Sequence, residues 1–471
     1  MINCITSQKK KKKNHSKRAN YLIYDTGTVA TNIIMIRVLL FAAAVVAADL
    51  NFTDWDGLQT CFPKAIISCS TEQDIMEVIS RASTQNLAVK VVGAGHSFSS
   101  IAMTDSTRPS LLLKIYDYAG IVKVDKDRME VEVKGGTRLR DLNDMLESQH
   151  GLALVNMGAT AAQTVSGATA TGTHGTGRNF GSMSTLITGI RLILSDSSIL
   201  KLSENDSDPA LFKAARVSLG SMGVISTLTL KVVESFKMRL SIISIPVDEL
   251  LSKHDELYSK YERFQWGFVP YTNVATMLIR EETTDAITDG GCWEPTTPTK
   301  VSPCVDTSYK TLVDSLERYD NRTIYTDMEM FVDVKDIKNA IVDFMDFQEK
   351  VKSRHEDSRG TLFTNIRYIK RDDILLSPMR NKDSAVISMI VTGDHEHTGS
   401  SEEFSMYAQG LEELTARKYK AIPHWGKQNW AKTEDLRKVF GGEELGEFES
   451  MRKGLDPSDM FLNEYLRERL M

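Results

Sequence analysis

Val92-Gly93-Ala94-Gly95-His96-Ser97 closes an apolar segment, Leu87 to Val92, and its reading decides which fold follows. A strand running into a glycine turn invites a dinucleotide-binding reading. The Rossmann fingerprint fails here, because its third glycine would fall at Phe98 and no helical pattern opens there. What remains is a turn whose backbone N–H groups, with the hydroxyls of Ser97 and Ser99, suit an anion such as a pyrophosphate. Taken by itself the motif reads equally as a structural turn.

Upstream, Ala65 to Cys69 reads as a short strand, and residues 71–85 as a helix with Ile75, Val78, Ile79 and Ala82 on one face. Ser70 is expected as its N-cap, with Gln73 completing a capping box. Downstream, Leu111 to Ile115, Ile121 to Val124 and the alternating Met129, Val131 and Val133 read as strands. Arg138 to Gln149 reads as a helix and Leu152 to Val155 as a further strand. From Gly158 to Gly181 the composition shifts to Gly, Ala, Thr and Ser. A stretch this poor in bulk is not expected to fill a core, but it lets a ligand approach the backbone. Strands resume at Ile187 to Leu194 and Val224 to Val233. Beyond about residue 236 longer strands and amphipathic helices form a second domain, with a poorly patterned loop from Thr283 to Ser308 and a closing helix from Pro457 to Leu470.

The bulk numbers bound the answer. With 471 residues, 41% hydrophobic and 25% charged, the chain has the composition of a globular protein of two to three domains. Its net charge of −6 is uneven: residues 1–34 carry Lys9 to Lys13, Lys17 and Arg18 against Asp25, so the remainder is strongly acidic. An acidic body argues against nucleic acid as a partner. Met35-Ile-Arg37 followed by the apolar run Val38 to Ala48 reads as a secretory signal, too short to span a bilayer. Met35 then reads as the initiator. Cys61, Cys69, Cys292 and Cys304 are expected as two sequence-local disulfides, and Asn51, Asn205 and Asn321 begin glycosylation sequons. These features place the protein outside the cell or in the secretory lumen; oligomeric state is not legible.

Two small-residue loops flanked by strands are able to face each other across one extended cofactor. With Val92-Gly-Ala-Gly-His-Ser97, Thr164-Val-Ser-Gly-Ala-Thr-Ala-Thr-Gly-Thr-His-Gly-Thr-Gly177 and Leu219-Gly-Ser-Met-Gly-Val-Ile225 in this order, the chain resembles the FAD-linked oxidases whose flavin domain is shared with vanillyl-alcohol oxidase and p-cresol methylhydroxylase. Pro423-His-Trp-Gly-Lys427, Leu455-Asp-Pro457 and Arg371-Asp-Asp-Ile-Leu-Leu-Ser-Pro378 are similar to segments of the aldonolactone oxidases within that group. The resemblance implies an α+β fold: a two-subdomain FAD-binding domain (49–235), an α+β substrate or cap domain (236–420) and a C-terminal segment returning to the flavin (421–471). Residues 1–34 and 35–48 are then the basic extension and the signal.

The resemblance also implies roles. His96 stands where the family joins a histidine covalently to the flavin 8α carbon. Gly93, Ala94, Gly95, Ser97, Ser99, Gly135, Gly158, Thr164, Gly167, Ala168, Thr171, Gly172, His174, Gly223, Ile225 and Lys427 would contact FAD, with His174 a loop residue rather than a base. Arg367 and Lys427 would stabilise a substrate alkoxide, while Trp425 packs. The family's glutamate position holds Asn365, which hydrogen-bonds a hydroxyl but accepts no proton as a carboxylate does. No acid nearby in sequence replaces it. Gly135-Gly136 occupy the place where a related dehydrogenase bars oxygen with alanine, so open space there, and O2 as acceptor, are expected. His395-Glu-His397 reads as a solvated turn, and no metal is expected. The expected substrate is a sugar lactone; an alditol or carbohydrate oxidase, and a secreted flavin-binding protein without turnover, are the rivals.

Overall fold

The computed structural model describes residues 50–471 apart from 206–207, 294–299, 315–323, 353–361 and 394–401. The basic extension, the signal segment, Asn321 and His395-Glu-His397 lie outside the described residues. Strands β1 (Ala65–Ser68), β2 (Ala88–Val92) and β3 (Ser110–Lys114) form a parallel sheet ordered β1-β3-β2. Parallel strands need a crossover, and helix α1 (Glu72–Thr84) supplies it, burying Ile75, Val78, Ile79 and Ala82. Each of the larger three is worth roughly 1.5–3 kcal/mol on burial. The cap falls one residue later than expected, at Thr71 with Asp74. The Asp74 carboxylate accepts from the backbone N–H of both Ser70 (3.0 Å) and Thr71 (2.9 Å), which the Gln73 amide would do less well; Gln73 pairs with Glu77.

Strands β4 (Ile121–Asp125), β5 (Glu130–Lys134), β6 (Ile187–Ile193), β7 (Ile199–Ser203) and β8 (Val224–Lys231) make an antiparallel sheet in the order β7-β6-β8-β5-β4. Between β5 and β6, and contrary to expectation, the Gly/Thr-rich stretch does enter the core. Its short helix α2 (Val165–Ala170) buries Val165, Ala168 and Ala170 in the main apolar cluster. Small side chains suffice because the polar ones bond inward: Thr169 and Ser184 hydroxyls donate to the carbonyls of Val165 and Thr169.

The remaining chain builds an eight-stranded sheet from β9 (Lys237–Ile245), β10 (Arg263–Phe268), β11 (Ala275–Thr283), β12 (Cys304–Thr307), β13 (Ile324–Asp333), β14 (Leu362–Ile369), β15 (Ser384–Gly393) and β16 (Ile422–Pro423), ordered β12-β9-β11-β10-β14-β15-β13-β16. The loop expected over Thr283 to Ser308 thus contributes an edge strand, β12, paired with β9. Strand alternation divides the sheet. Trp266, Ile366, Ile387, Met328 and Met330 face the helices through an apolar cluster. Gln265, Asn365, Arg367, Ser388, Asp327 and Glu329 take the alternate positions and are buried too. A buried polar patch therefore lies on this face, beside a small apolar cluster of Phe331, Ile369 and Val386. The expected closing helix begins only at Glu464, because the Asp456 carboxylate accepts from the N–H groups of Met460 and Phe461 and holds a turn first.

Of the two expected disulfides one forms, Cys292–Cys304. Cys61 and Cys69 are buried free thiols. The reason is the first sheet: Cys61 packs with Val92 and Leu112, Cys69 with Val89, Leu111 and Leu113, on opposite faces. The chain without residues 1–48 should therefore titrate two thiols in denaturant and four after reduction. Finding none before reduction would restore the Cys61–Cys69 pairing.

Candidate active site

β2 ends where the first glycine turn begins, and the turn is pressed against the second loop. A Cβ on Gly93 would lie 2.0 Å from the Thr164 hydroxyl oxygen, so only glycine fits. Gly95 adopts φ +73°, in the left-handed region that favours glycine. Between the two loops lies a cleft. Gly93, Ala94, Gly95, His96 and Ser97 line it from one side, and Thr164, Gly167, Ala168 and Thr171 from the other; Gly223 and Ile225 close it.

Other expected contacts act from behind. Ser99 donates to the Trp425 carbonyl (2.8 Å), tying the turn to the C-terminal segment. Gly158 lies against Thr173, and Gly172, at φ +76°, ends α2. Gly135 does not line the cleft. A Cβ there would meet the Ile225 carbonyl oxygen at 2.4 Å, and at Gly136 the Ile115 carbonyl oxygen at 1.7 Å. Close backbone packing requires these glycines, so the open space expected beside them is absent.

A second, smaller chamber shares His96, Ser97, Gln163 and Thr171 with the cleft. His174, Tyr325, Glu329, Arg367, His424 and Lys427 complete it. Sheet register brings the charged groups together: Glu329 of β13 and Asn365 of β14 both pair with Ser388 of β15. Asn365 is buried but is not part of the chamber wall. The acid that sequence proximity did not supply comes from a strand two places away: Glu329 Oε1 lies 3.6 Å from Arg367 and 2.9 Å from the Ser388 hydroxyl.

Three acids face three permanent cations. Arg367 and Arg280 share the Asp314 carboxylate at 2.8 and 2.7 Å, and Lys427 pairs with Asp327 at 2.8 Å while lying over the Phe98 ring. Burial works against the charge on Glu329, yet Lys427, His174 and His424 hold its carboxyl well below the usual range. Burial likewise opposes Lys427, but Asp327 and Glu329 raise it above an ordinary lysine. His424 is pushed by burial down to about 3 and stays neutral. Its Nδ1 accepts from the Gly426 N–H, which leaves the proton on Nε2. His174 is the reverse: Nδ1 donates to the Gly175 carbonyl (3.0 Å), and Nε2 faces Glu329 at 3.4 Å. His174, Glu329 and His424 are ligand types for a metal and lie within 4.8 Å of one another. With Arg367 and Lys427 beside them, however, the charge is balanced without a dication.

The sequence reading missed Asp327, Glu329, Asp314 and His424. The signal lay in Tyr325-Thr-Asp-Met-Glu-Met-Phe331, where acids recur at period two inside an apolar strand.

Two family models match the chain, an FAD binding domain over residues 63–203 and D-arabinono-1,4-lactone oxidase over 297–469. L-gulono-1,4-lactone dehydrogenase of Mycobacterium tuberculosis is 30% identical over 89% of this chain and 99% of its own length. The chain belongs to the aldonolactone oxidase family of FAD-linked oxidoreductases. L-gulonolactone oxidase of Bos taurus is 28% identical, with 89% and 98% covered. Among solved structures, cholesterol oxidase from B. sterolicum superposes with a TM-score of 0.74 at 13% identity, covering 89% of this chain and 96% of that one, which shows the shared fold. The residues here fit FAD: a cleft walled by glycine, with a buried lysine ammonium, Lys90, that has no hydrogen-bond partner among the described residues.

Asp314 gives a pH test. Burial would raise its carboxyl, but Arg280, Arg367 and Lys300 hold it below the usual range. A carboxylate lowered in the folded state contributes stability that is full above its unfolded value, near pH 4, and lost as pH falls through the folded value. Asp314→Asn should lower the urea midpoint at pH 7 and remove part of the acid-induced loss below about pH 4. An unchanged acid limb would show that the pairing is absent.

Proposed function

We propose that the protein oxidises an aldono-1,4-lactone at its C2 carbinol, and the observation that carries this reading is the chamber joined to the cleft at His96, Ser97, Gln163 and Thr171. The chemistry supplied by bound FAD is acceptance of the C2 hydrogen as hydride at N5, with O2 as terminal acceptor and H2O2 as product. Oxygen rests on relatives such as the Bos taurus oxidase, not on Gly135. Arg367 and Lys427 donate to the carbinol oxygen as negative charge develops there; fixed donors of this kind are worth more in a water-poor site. His174 Nε2 and the Glu329 carboxylate lie 3.4 Å apart on the chamber wall, and this pair receives the proton that the carbinol oxygen releases.

Anaerobic addition of aldonolactones should bleach the flavin band, and admitting air should restore it with peroxide release. A flavin that stays oxidised with every lactone and polyol overturns the proposal; reoxidation by a dye but not by air makes the enzyme a dehydrogenase. Glu329→Gln should lower kcat by about 10²–10⁴ without loss of flavin, and Arg367→Met by about 10²–10³.

His96 sits where cleft and chamber meet, stacked on Trp55 with ring centroids 4.9 Å apart, which suits a tether to the flavin 8α carbon. Acid precipitation should leave yellow protein for wild type and yellow supernatant for His96→Ala; equal retention by both removes the tether from His96. We also propose export, supported by the Cys292–Cys304 disulfide and by sequon asparagines Asn51 and Asn205 at the surface. Protein from native cells that is insensitive to glycosidase and recovered only from cytosol would contradict it.

A further inference from the structure

Among the described residues, Lys90 is the cation of the cleft wall that the lactone chemistry leaves unused. It lies in β2, three residues before the glycine turn and paired with Leu112 of β3. It is 5% exposed, and its ammonium has no hydrogen-bond partner among the described residues. Its strand face is apolar, with Val92, Leu112 and Ala102 packed together there. Burial pushes its pKa down to about 7. A buried cation without an opposite charge among the described residues is costly, and a bound anion would offset that cost.

We infer that Lys90 anchors FAD by pairing its ammonium with the cofactor's diphosphate. The inference rests on the reading of the cleft as the FAD site and adds a residue and an atom-level partner to it. In oxidised FAD the isoalloxazine, ribityl and adenosine parts are formally neutral, and only the diphosphate carries charge. Lys90 lines the same cleft as the Gly93–Ser97 turn, whose backbone offers neutral donors to an anion. Those donors supply direction, and Lys90 supplies the compensating charge. Arg81, Arg138 and Lys114 are not among the residues lining the cleft.

The test follows flavin release from purified holoprotein in the His96→Ala background, where no tether interferes, by recovery of flavin fluorescence on dilution. Lys90→Met should release FAD at least about tenfold faster than the lysine protein. Lys90→Arg, which keeps the charge, should stay close to it. ADP and adenosine are then added as competitors for rebinding. The ADP concentration that displaces half the FAD should shift upward in Lys90→Met relative to its displacement of an equally bound fraction in the lysine protein, while adenosine competition stays unchanged. Release at the lysine rate from Lys90→Met overturns the inference, as does Lys90→Arg releasing as fast as Lys90→Met, or an equal shift for ADP and adenosine. Should Lys90→Met fail to fold, Lys90→Gln carries the same comparison. A lysine protein purified without flavin would instead overturn the FAD reading of the cleft.

Discussion

The carboxylate of Asp314, shared between Arg280 and Arg367, is the interaction on which the eight-stranded sheet's buried polar patch depends. Two guanidinium groups buried side by side repel, and a buried charge without compensation costs several kcal/mol. Asp314 meets both from a segment beyond the sheet, and Lys300 stands 3.8 Å away. With Arg367 fixed from one side, its other edge is free to face Glu329. Lys427 and Asp327 complete the row. Six charges so arranged hold a polar chamber inside a protein whose opposite sheet face is packed with Trp266, Met328, Met330 and Ile387.

The cofactor side follows another constraint, namely the space that small residues leave. The Gly93 turn touches Thr164, and α2 places Val165 and Ala168 in the core while Gly167 lines the cleft. The same residues build the floor and the wall. The C-terminal segment then locks the two halves: β16 pairs with β13, the Trp425 indole donates to the Leu376 carbonyl, and the Trp425 carbonyl accepts from Ser99 and Tyr465. Lys427 reaches the chamber because this segment runs between the flavin turn and the sheet.

Much of this was legible along the chain. Alternation and capping signals gave α1 and the strands flanking it, with Thr71 replacing Ser70 because a carboxylate at Asp74 outcompetes the Gln73 amide. The two glycine-rich loops and the Pro423–Lys427 ending pointed to the flavin fold and to Arg367 and Lys427. Other features are set by neighbours that sequence distance hides. Cys61 and Cys69 are eight positions apart yet occupy opposite faces of one sheet. Gly135 looked like open space and is instead a backbone contact with Ile225.

The sequence by itself determined most element types around the flavin turn, the family, and the cations Arg367 and Lys427, because propensity, glycine spacing and motif order are local properties of the chain. Only the tertiary structure decided where the acid for Arg367 comes from. A strand's pleat tells which residues share a face, but not which strand lies beside it. The register β13-β15-β14 sets Glu329 across Ser388 from Asn365, thirty-six positions later in the chain. The carboxylate missing from one strand is thereby supplied by another.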